Sequence, residues 1–307
     1  DILPAITHII NLSIAQSTFP TIWKHAKVVP LLKKGDSLTP KNYRPVALLP
    51  IFSKILERVV FNQLVGYSDA HNLIHPNHHG SRAGHSTASA LIQMYDTWAD
   101  EVDSGNMVGV MMVDLSAAFD MVDHAILLQK LEYFGLDDTA ILWMKSYLNM
   151  RSQSVFVDGC LSPPLTIEHG VPQGSILGPL MYILYTNDIP DLVHNHPVSF
   201  SQPAPYCHDC GGTVCYVDDS TFSIGHSDPE VLSSTLTEQY QQISKYMAAN
   251  KLVINDDKTH LLVMGTKSMS DKRNLVTLPT GDHTITPTHK ERLLGCVVSD
   301  NMKWRQH

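Results

Sequence analysis

A chain of 307 residues, 43% hydrophobic and 17% charged, can bury a sizeable core as one large domain or two smaller ones, which excludes a disordered chain. No apolar run approaches the roughly 20 residues of a membrane-spanning helix, and no secretory leader is legible; a soluble protein of the nucleus or cytoplasm is expected. The net charge of −8 weighs against a broad phosphate-binding surface, but the charge is uneven: eight basic residues and two acidic ones lie between Lys24 and Arg58, and the acidic excess follows residue 100.

Residues 2–17 read as an apolar helix stopped near Phe19-Pro20, and residues 27–32 as a short strand that Lys33-Lys34-Gly35-Asp36 turns out of. Ile51, Ile55, Leu56, Val59, Val60 and Leu64 recur at helical spacing. Ser86 or Thr87 caps a helix running through Trp98. Residues 108–114 read as a buried strand ending on Asp114, followed by a helical segment to about Tyr147 that Gly135 breaks. Residues 155–157 and 165–169 are strands around a turn at Asp158-Gly159, and residues 175–187 are helical. Residues 214–224 form a hairpin with its turn at Asp218-Asp219. A helix over 229–250, a strand over 261–265 and a hairpin over 293–304 complete the pass. This irregular order predicts an α+β fold, with helices on one face of a mainly antiparallel sheet.

Five cysteines in no even framework fit a reducing compartment. An initial Asp1 in place of Met suggests a piece of a longer polyprotein. Cys207-x2-Cys210, with His194, His196, His208 and Cys215 nearby, is half of a zinc signature, and unliganded thiols in a loop are the plainer alternative.

The carboxylates carry the chemistry. Asp114 ends an apolar strand, and Asp218 and Asp219 sit between two others. Clustering them without a cation costs free energy through repulsion and desolvation. Mg²⁺, with Mn²⁺ as a substitute, removes that penalty, and two such ions about 4 Å apart suit phosphoryl transfer. A simple Asp-rich turn is the alternative.

Seven segments, taken in order, resemble the reverse transcriptase domain of non-LTR, jockey-like retrotransposons. Tyr216-Val217-Asp218-Asp219 is similar to the family's hairpin signature. Val113-Asp114-Leu-Ser-Ala-Ala-Phe119-Asp120, continuing to Val122-Asp123-His124, resembles its first metal motif. His169-Gly-Val-Pro-Gln173-Gly174 resembles its template and nucleotide motif. Residues 30–36 with 42–50, then residues 79–87, resemble the fingers; 255–259 and 293–298 resemble the motifs that follow the hairpin.

The resemblance covers residues 20–305 and implies a right-hand polymerase. Residues 1–107 would form an N-terminal extension and fingers, and 108–307 a palm with an antiparallel sheet backed by helices; the thumb is expected to be absent. It implies Asp114 and Asp218 as the main metal ligands, with Asp219 beside them and the Leu115 carbonyl adding a ligand. Lys33 or Lys34 and Arg44 would meet the incoming triphosphate, and Phe119 would exclude a ribose 2′-hydroxyl. Gln173 and Gly174 would approach the template–nucleotide pair, and Lys258 would protonate pyrophosphate. The implied partners are an RNA template, a DNA primer and deoxynucleoside triphosphates, within a polyprotein that also carries an endonuclease and thumb. A catalytically inactive RNA-binding remnant, a group II intron maturase-like polymerase and a zinc-dependent interaction module are the alternatives.

Overall fold

In the computed structural model, which describes residues 2–33, 35–193, 212–281 and 283–302, the first helix is α1 (Leu3–Ala15). Pro4 lies in its first turn, where a missing N–H costs nothing. Strand β1 (His25–Leu32) pairs antiparallel with β2 (Tyr43–Leu48). Pro45 hides β2 from a sequence reading, because proline normally argues against a strand. The register explains its presence: Pro45 stands opposite Pro30, where neither has an N–H to give, and β2 is an edge strand.

Helix α2 (Ile51–Ala70) buries Leu56, Val60 and Leu64 as their spacing predicts. Ile51 and Ile55 of the predicted apolar set are exposed, and Ser53 and Glu57 are buried in their stead. Helix α3 (Thr87–Asp103) begins at the expected cap: Ser86 Oγ accepts from the Ser89 N–H, and Ser89 Oγ accepts from the Ser86 N–H. Strand β3 (Met107–Val113) is almost wholly buried and stops one residue short of Asp114.

Helices α4 (His124–Tyr133) and α5 (Asp138–Leu148) are capped by Asp123 and Asp137. They are separated at Gly135, whose φ of +84° suits a helix end. Strand β4 (Arg151–Val157) turns at Asp158-Gly159 into β5 (Cys160–Leu161), and β6 (Leu165–Ile167) also pairs with β4. Helix α6 (Gly178–Tyr185) is shorter than the predicted segment and buried on nearly every side. Strands β7 (Thr213–Tyr216) and β8 (Asp219–His226) form the hairpin, followed by α7 (Pro229–Ala249), β9 (His260–Met264) and the short α8 (Ser270–Arg273). A small pair, β10 (Leu278–Thr280) with β11 (His283–Ile285), precedes the last hairpin. That hairpin joins β12 (Lys290–Leu293) to β13 (Cys296–Ser299), so it turns at Leu294-Gly295 and starts earlier than expected.

The chain divides into two compact units, each built from two separated segments. Asp1–Ile74 with Phe119–Tyr185 holds a five-stranded sheet in the order β2-β1-β4-β5, with β6 on β4. Its β1–β4 junction is parallel, a long-range pairing that the mainly antiparallel expectation did not include. Phe19, Trp143 and Tyr147 pack edge to face or stacked beside it, with the buried Arg151 guanidinium over Phe19 and Tyr147.

The second unit, His75–Ala118 with Thr186–His307, holds an all-antiparallel sheet in the order β7-β8-β3-β9. Its core joins Met94 and Trp98 of α3 to Val110, Val214, Leu262 and Met264 of the sheet. Leu236 of α7 lies against Gly109 of β3, where a Cβ would stand 2.6 Å from its Cδ1. Helices and sheets are thus mixed as expected.

Candidate active site

Tyr216 pairs with Asp219 at the tip of the β7–β8 hairpin, so the two turn residues are Val217 and Asp218. This corrects the expected turn by one residue: Asp219 is the first residue of β8. Val217 has φ +58°, as the first position of a tight hairpin turn requires. A left-handed backbone costs a β-branched residue on the order of 1 kcal/mol, so the surroundings must hold it.

The register of β3 against β8 sets the acidic group. Val113 faces Ser220, so Asp114 comes level with Asp219 across the strands. Beyond β3 the backbone is fixed on its other side. The Asp114 carbonyl accepts from the Asn255 N–H at 2.9 Å, and the Ser116 N–H donates to the Val253 carbonyl at 2.8 Å. Leu115 forms an isolated bridge with Ile254, and the flanking bonds leave the Leu115 carbonyl outside the pairing. The next turn, Asp256–Lys258, carries Lys258, whose Nζ donates to Asp114 Oδ2 at 3.2 Å. The Lys258 side chain is 65% exposed, so the pair adds at most about 1 kcal/mol.

Asp219 is exposed by surface area, yet protein on its inner side and two like charges act on its carboxyl. Burial first, then Asp218 and Asp114, push it up to about 6. The direction rests on the carboxylates that the register brings together as well as on burial. Among the described residues no three His, Cys, Asp or Glu side chains stand close enough to hold a metal ion together. Asp114 is occupied by the Lys258 ammonium, and that contact is the kind a cation would make. The donor set, oxygen ligands with an excess of negative charge, fits a hard divalent cation.

The remaining expected site residues that are described lie in the other unit. Leu31 pairs with Arg44, and the Lys33 N–H donates to the Asn42 carbonyl at 2.8 Å, so Lys33 and Arg44 occupy one end of the β1–β2 pair. Both are exposed, and neither pairs with a carboxylate among the described residues. Lys34 lies outside the described residues, as do Cys207 and Cys210. Cys215 is buried in β7, its thiol held protonated and pushed up to about 12 by burial, which suits core packing rather than zinc.

The Gln173 carbonyl accepts from the Ala47 N–H at 2.8 Å, and Gly174, at φ +113°, would bring a Cβ within 2.7 Å of the Ala47 oxygen. Only glycine fits there. Gln173 Nε2 donates to both Asp120 carboxylate oxygens, at 3.1 and 3.0 Å. Burial raises the Asp120 carboxyl and the Gln173 bond partly offsets it. A cleft of about 170 Å³ opens beside them, lined by Ala26, Val28, Ala47, Gln153 and His169. Phe119 is half-buried and stacks on Tyr182 at 4.8 Å.

Three residues escaped the sequence reading. Glu57, fully buried, accepts from Ser53 Oγ and from the Ile176 N–H, both at 2.8 Å, and so ties α2 to the loop after Gly174. Its signal was a lone acid inside an apolar helical period. Asp120 lies within the first metal motif, which gave it no role. Gly80 gave only a glycine in a loop.

The fold is shared with telomerase. The apo enzyme from Candida tropicalis aligns over 92% of this chain and 54% of its own, with a TM-score of 0.56 at 11% identity. Residues 31–298 match the family described as reverse transcriptase (RNA-dependent DNA polymerase), and this chain belongs to that family.

Its curated relatives are retrotransposon proteins. A probable RNA-directed DNA polymerase from transposon X-element of Drosophila melanogaster is 34% identical over 60% of this chain and 20% of its own length. The RNA-directed DNA polymerase from mobile element jockey of Drosophila funebris is 27% identical over 94% of this chain and 30% of its own. The chain therefore spans about a fifth to a third of these relatives, and it is a reverse transcriptase domain of the non-LTR type. No helix among the described residues is long and apolar enough to cross a membrane.

Proposed function

We propose that this chain catalyses RNA-templated addition of deoxynucleotides to a primer 3′-hydroxyl, as fingers and palm of a longer retrotransposon polyprotein with its endonuclease and thumb. The observation that carries the proposal is the register that draws Asp114 level with Asp219, beside Asp218 at the hairpin tip. Asp114 and Asp218 are the principal ligands for a pair of Mg²⁺ ions, assisted by Asp219 and the Leu115 carbonyl. When bound, such ions activate the primer hydroxyl and offset charge on the leaving pyrophosphate.

The chain's own groups do the rest. Lys258 holds a proton at Nζ beside Asp114 and donates it to the departing pyrophosphate. Lys33 or Lys34 and Arg44 neutralise the triphosphate, Arg44 as a fork and the lysine as a point charge. The Phe119 ring, held by Tyr182, excludes a ribose 2′-hydroxyl, and Gln173 with Gly174 borders the template–nucleotide pair.

Primer extension on an RNA template with Mg²⁺ tests the proposal. Wild type should extend, and Asp218→Asn should lose at least about 10³-fold in kcat while unfolding at the same temperature. Full activity in Asp218→Asn would sink the metal assignment. A wild type that binds RNA but never extends, alone or within a longer chain, would mark an inactive remnant.

A further inference from the structure

The hairpin that carries Asp218 and Asp219 is held on its outer edge by residues 77–80, a run outside the acidic group. Cys215 of β7 donates its N–H to the Asn77 carbonyl at 2.9 Å, and the His79 N–H donates to the Cys215 carbonyl at 2.9 Å. His78 and Cys215 form a parallel bridge, so this run acts as one more strand beside β7. Gly80 then abuts the turn itself. A Cβ there would stand 2.4 Å from Val217 Cγ2 and 2.6 Å from the Val217 backbone N. The second contact is with backbone, which no rotamer change can relieve.

Side chains anchor the run to α3. His79 Nδ1 lies 3.0 Å from Ser89 Oγ, and its Nε2 lies 2.7 Å from Gln93 Oε1. Gln93 Nε2 donates to Asn77 Oδ1 at 2.9 Å. The run is therefore fixed twice, to α3 by side chains and to the hairpin by backbone.

We infer that Gly80 and His79 are positioning residues for the catalytic hairpin: residues 77–80 form a brace, bolted to α3, that sets the height of the Val217-Asp218 turn. This rests on the polymerase reading: the hairpin turn sets the positive φ of Val217, and the brace lies close against that turn. Both act through Val217 and the turn that carries Asp218.

The test combines kinetics with hydrogen exchange. Gly80→Ala should lower kcat on the order of 10²-fold, the scale of an ångström-sized misplacement. Its KM for deoxynucleotide should stay near wild type and its melting temperature should fall, while half-maximal rate should need more Mg²⁺. Amide exchange across residues 213–219 should quicken at least about 10-fold. Adding Val217→Gly to Gly80→Ala should restore part of the rate, because it removes the Cγ2 contact and relaxes the turn.

Gly66→Ala, in open space on α2, is the control and should match wild type in rate, Mg²⁺ dependence and exchange across residues 213–219. If Gly80→Ala does not fold, Gln93→Met should give the same pattern several-fold weaker. Exchange and Mg²⁺ dependence unchanged in Gly80→Ala, or in Gln93→Met where that is the variant read, overturn the inference. Quickened exchange in a protein whose wild type never extends a primer supports the brace and overturns the polymerase reading alone.

Discussion

Glu57 is a carboxylate without solvent exposure, and its bonds reach the loop that follows Gln173 and Gly174. A buried acceptor of this kind is costly to remove, because its donors then stay desolvated and unpaired. Glu57→Ala strips the partner from Ser53 Oγ and the Ile176 N–H, and should lower stability by about 3 kcal/mol in urea unfolding. Glu57→Gln keeps an acceptor oxygen and the volume, and should lose less than half of that. Equal stabilities for wild type and Glu57→Ala would mean that these bonds are marginal.

The residue was illegible for a physical reason. Helical period separates apolar from polar positions, but it cannot say that Ser53 and Glu57 turn inward while Ile51 and Ile55 turn out. Asp114, Asp218 and Asp219 were legible because a carboxylate that ends an apolar strand is costly there unless a cation or water meets it.

At the level of elements, local signals survived and long-range ones did not. The Ser86 cap, the break at Gly135 and the β7–β8 hairpin all follow from nearest neighbours in sequence. The parallel β1–β4 pair joins residues more than a hundred positions apart, and β2 depends on Pro45 meeting Pro30. The hairpin turn was misplaced by one because strand alternation fits either register until pairing is known.

The brace beside β7 carries its own pH signature. Burial above all lowers His78 to about 4, aided by His75 and His79, while its bond to the Thr186 carbonyl and the charge of Asp188 oppose the shift. The unfolded chain takes up this proton near pH 6.5 and the folded one only near 4. Stability is therefore full above 6.5 and is lost as pH falls from 6.5 to 4, by on the order of 3 kcal/mol. Urea midpoints across that window should fall less in His78→Gln, which keeps a donor for Thr186 but does not titrate. Identical pH profiles would show that His78 is not held neutral.

Across the whole molecule, charge follows the two units. The unit with β1, β2 and the Gln173 loop has eleven acidic and eleven basic residues. The unit with the aspartates has nineteen and eleven, so it carries the entire net charge of −8. Two of the eight basic residues of the Lys24–Arg58 run are engaged internally. Lys24 is buried, and burial, then Arg151, lowers its pKa; the Lys27 ammonium lies 3.4 Å over the Phe156 ring.

On the proposed reading, a polyanion then meets one unit of balanced charge and one that is acidic. Binding of an RNA–DNA primer–template, followed by fluorescence anisotropy between 50 and 200 mM KCl, should show a log–log salt slope of roughly −4 or shallower. Chelating the divalent ion should weaken binding, because the acidic group then repels phosphate unscreened. Asp218→Asn removes one of those charges, so without divalent ions it should bind at least as tightly as wild type even though it cannot extend. A slope steeper than about −6 would require more phosphate contacts than this charge distribution offers. Weaker binding by Asp218→Asn in EDTA would mean that the acidic group is not what the nucleic acid approaches.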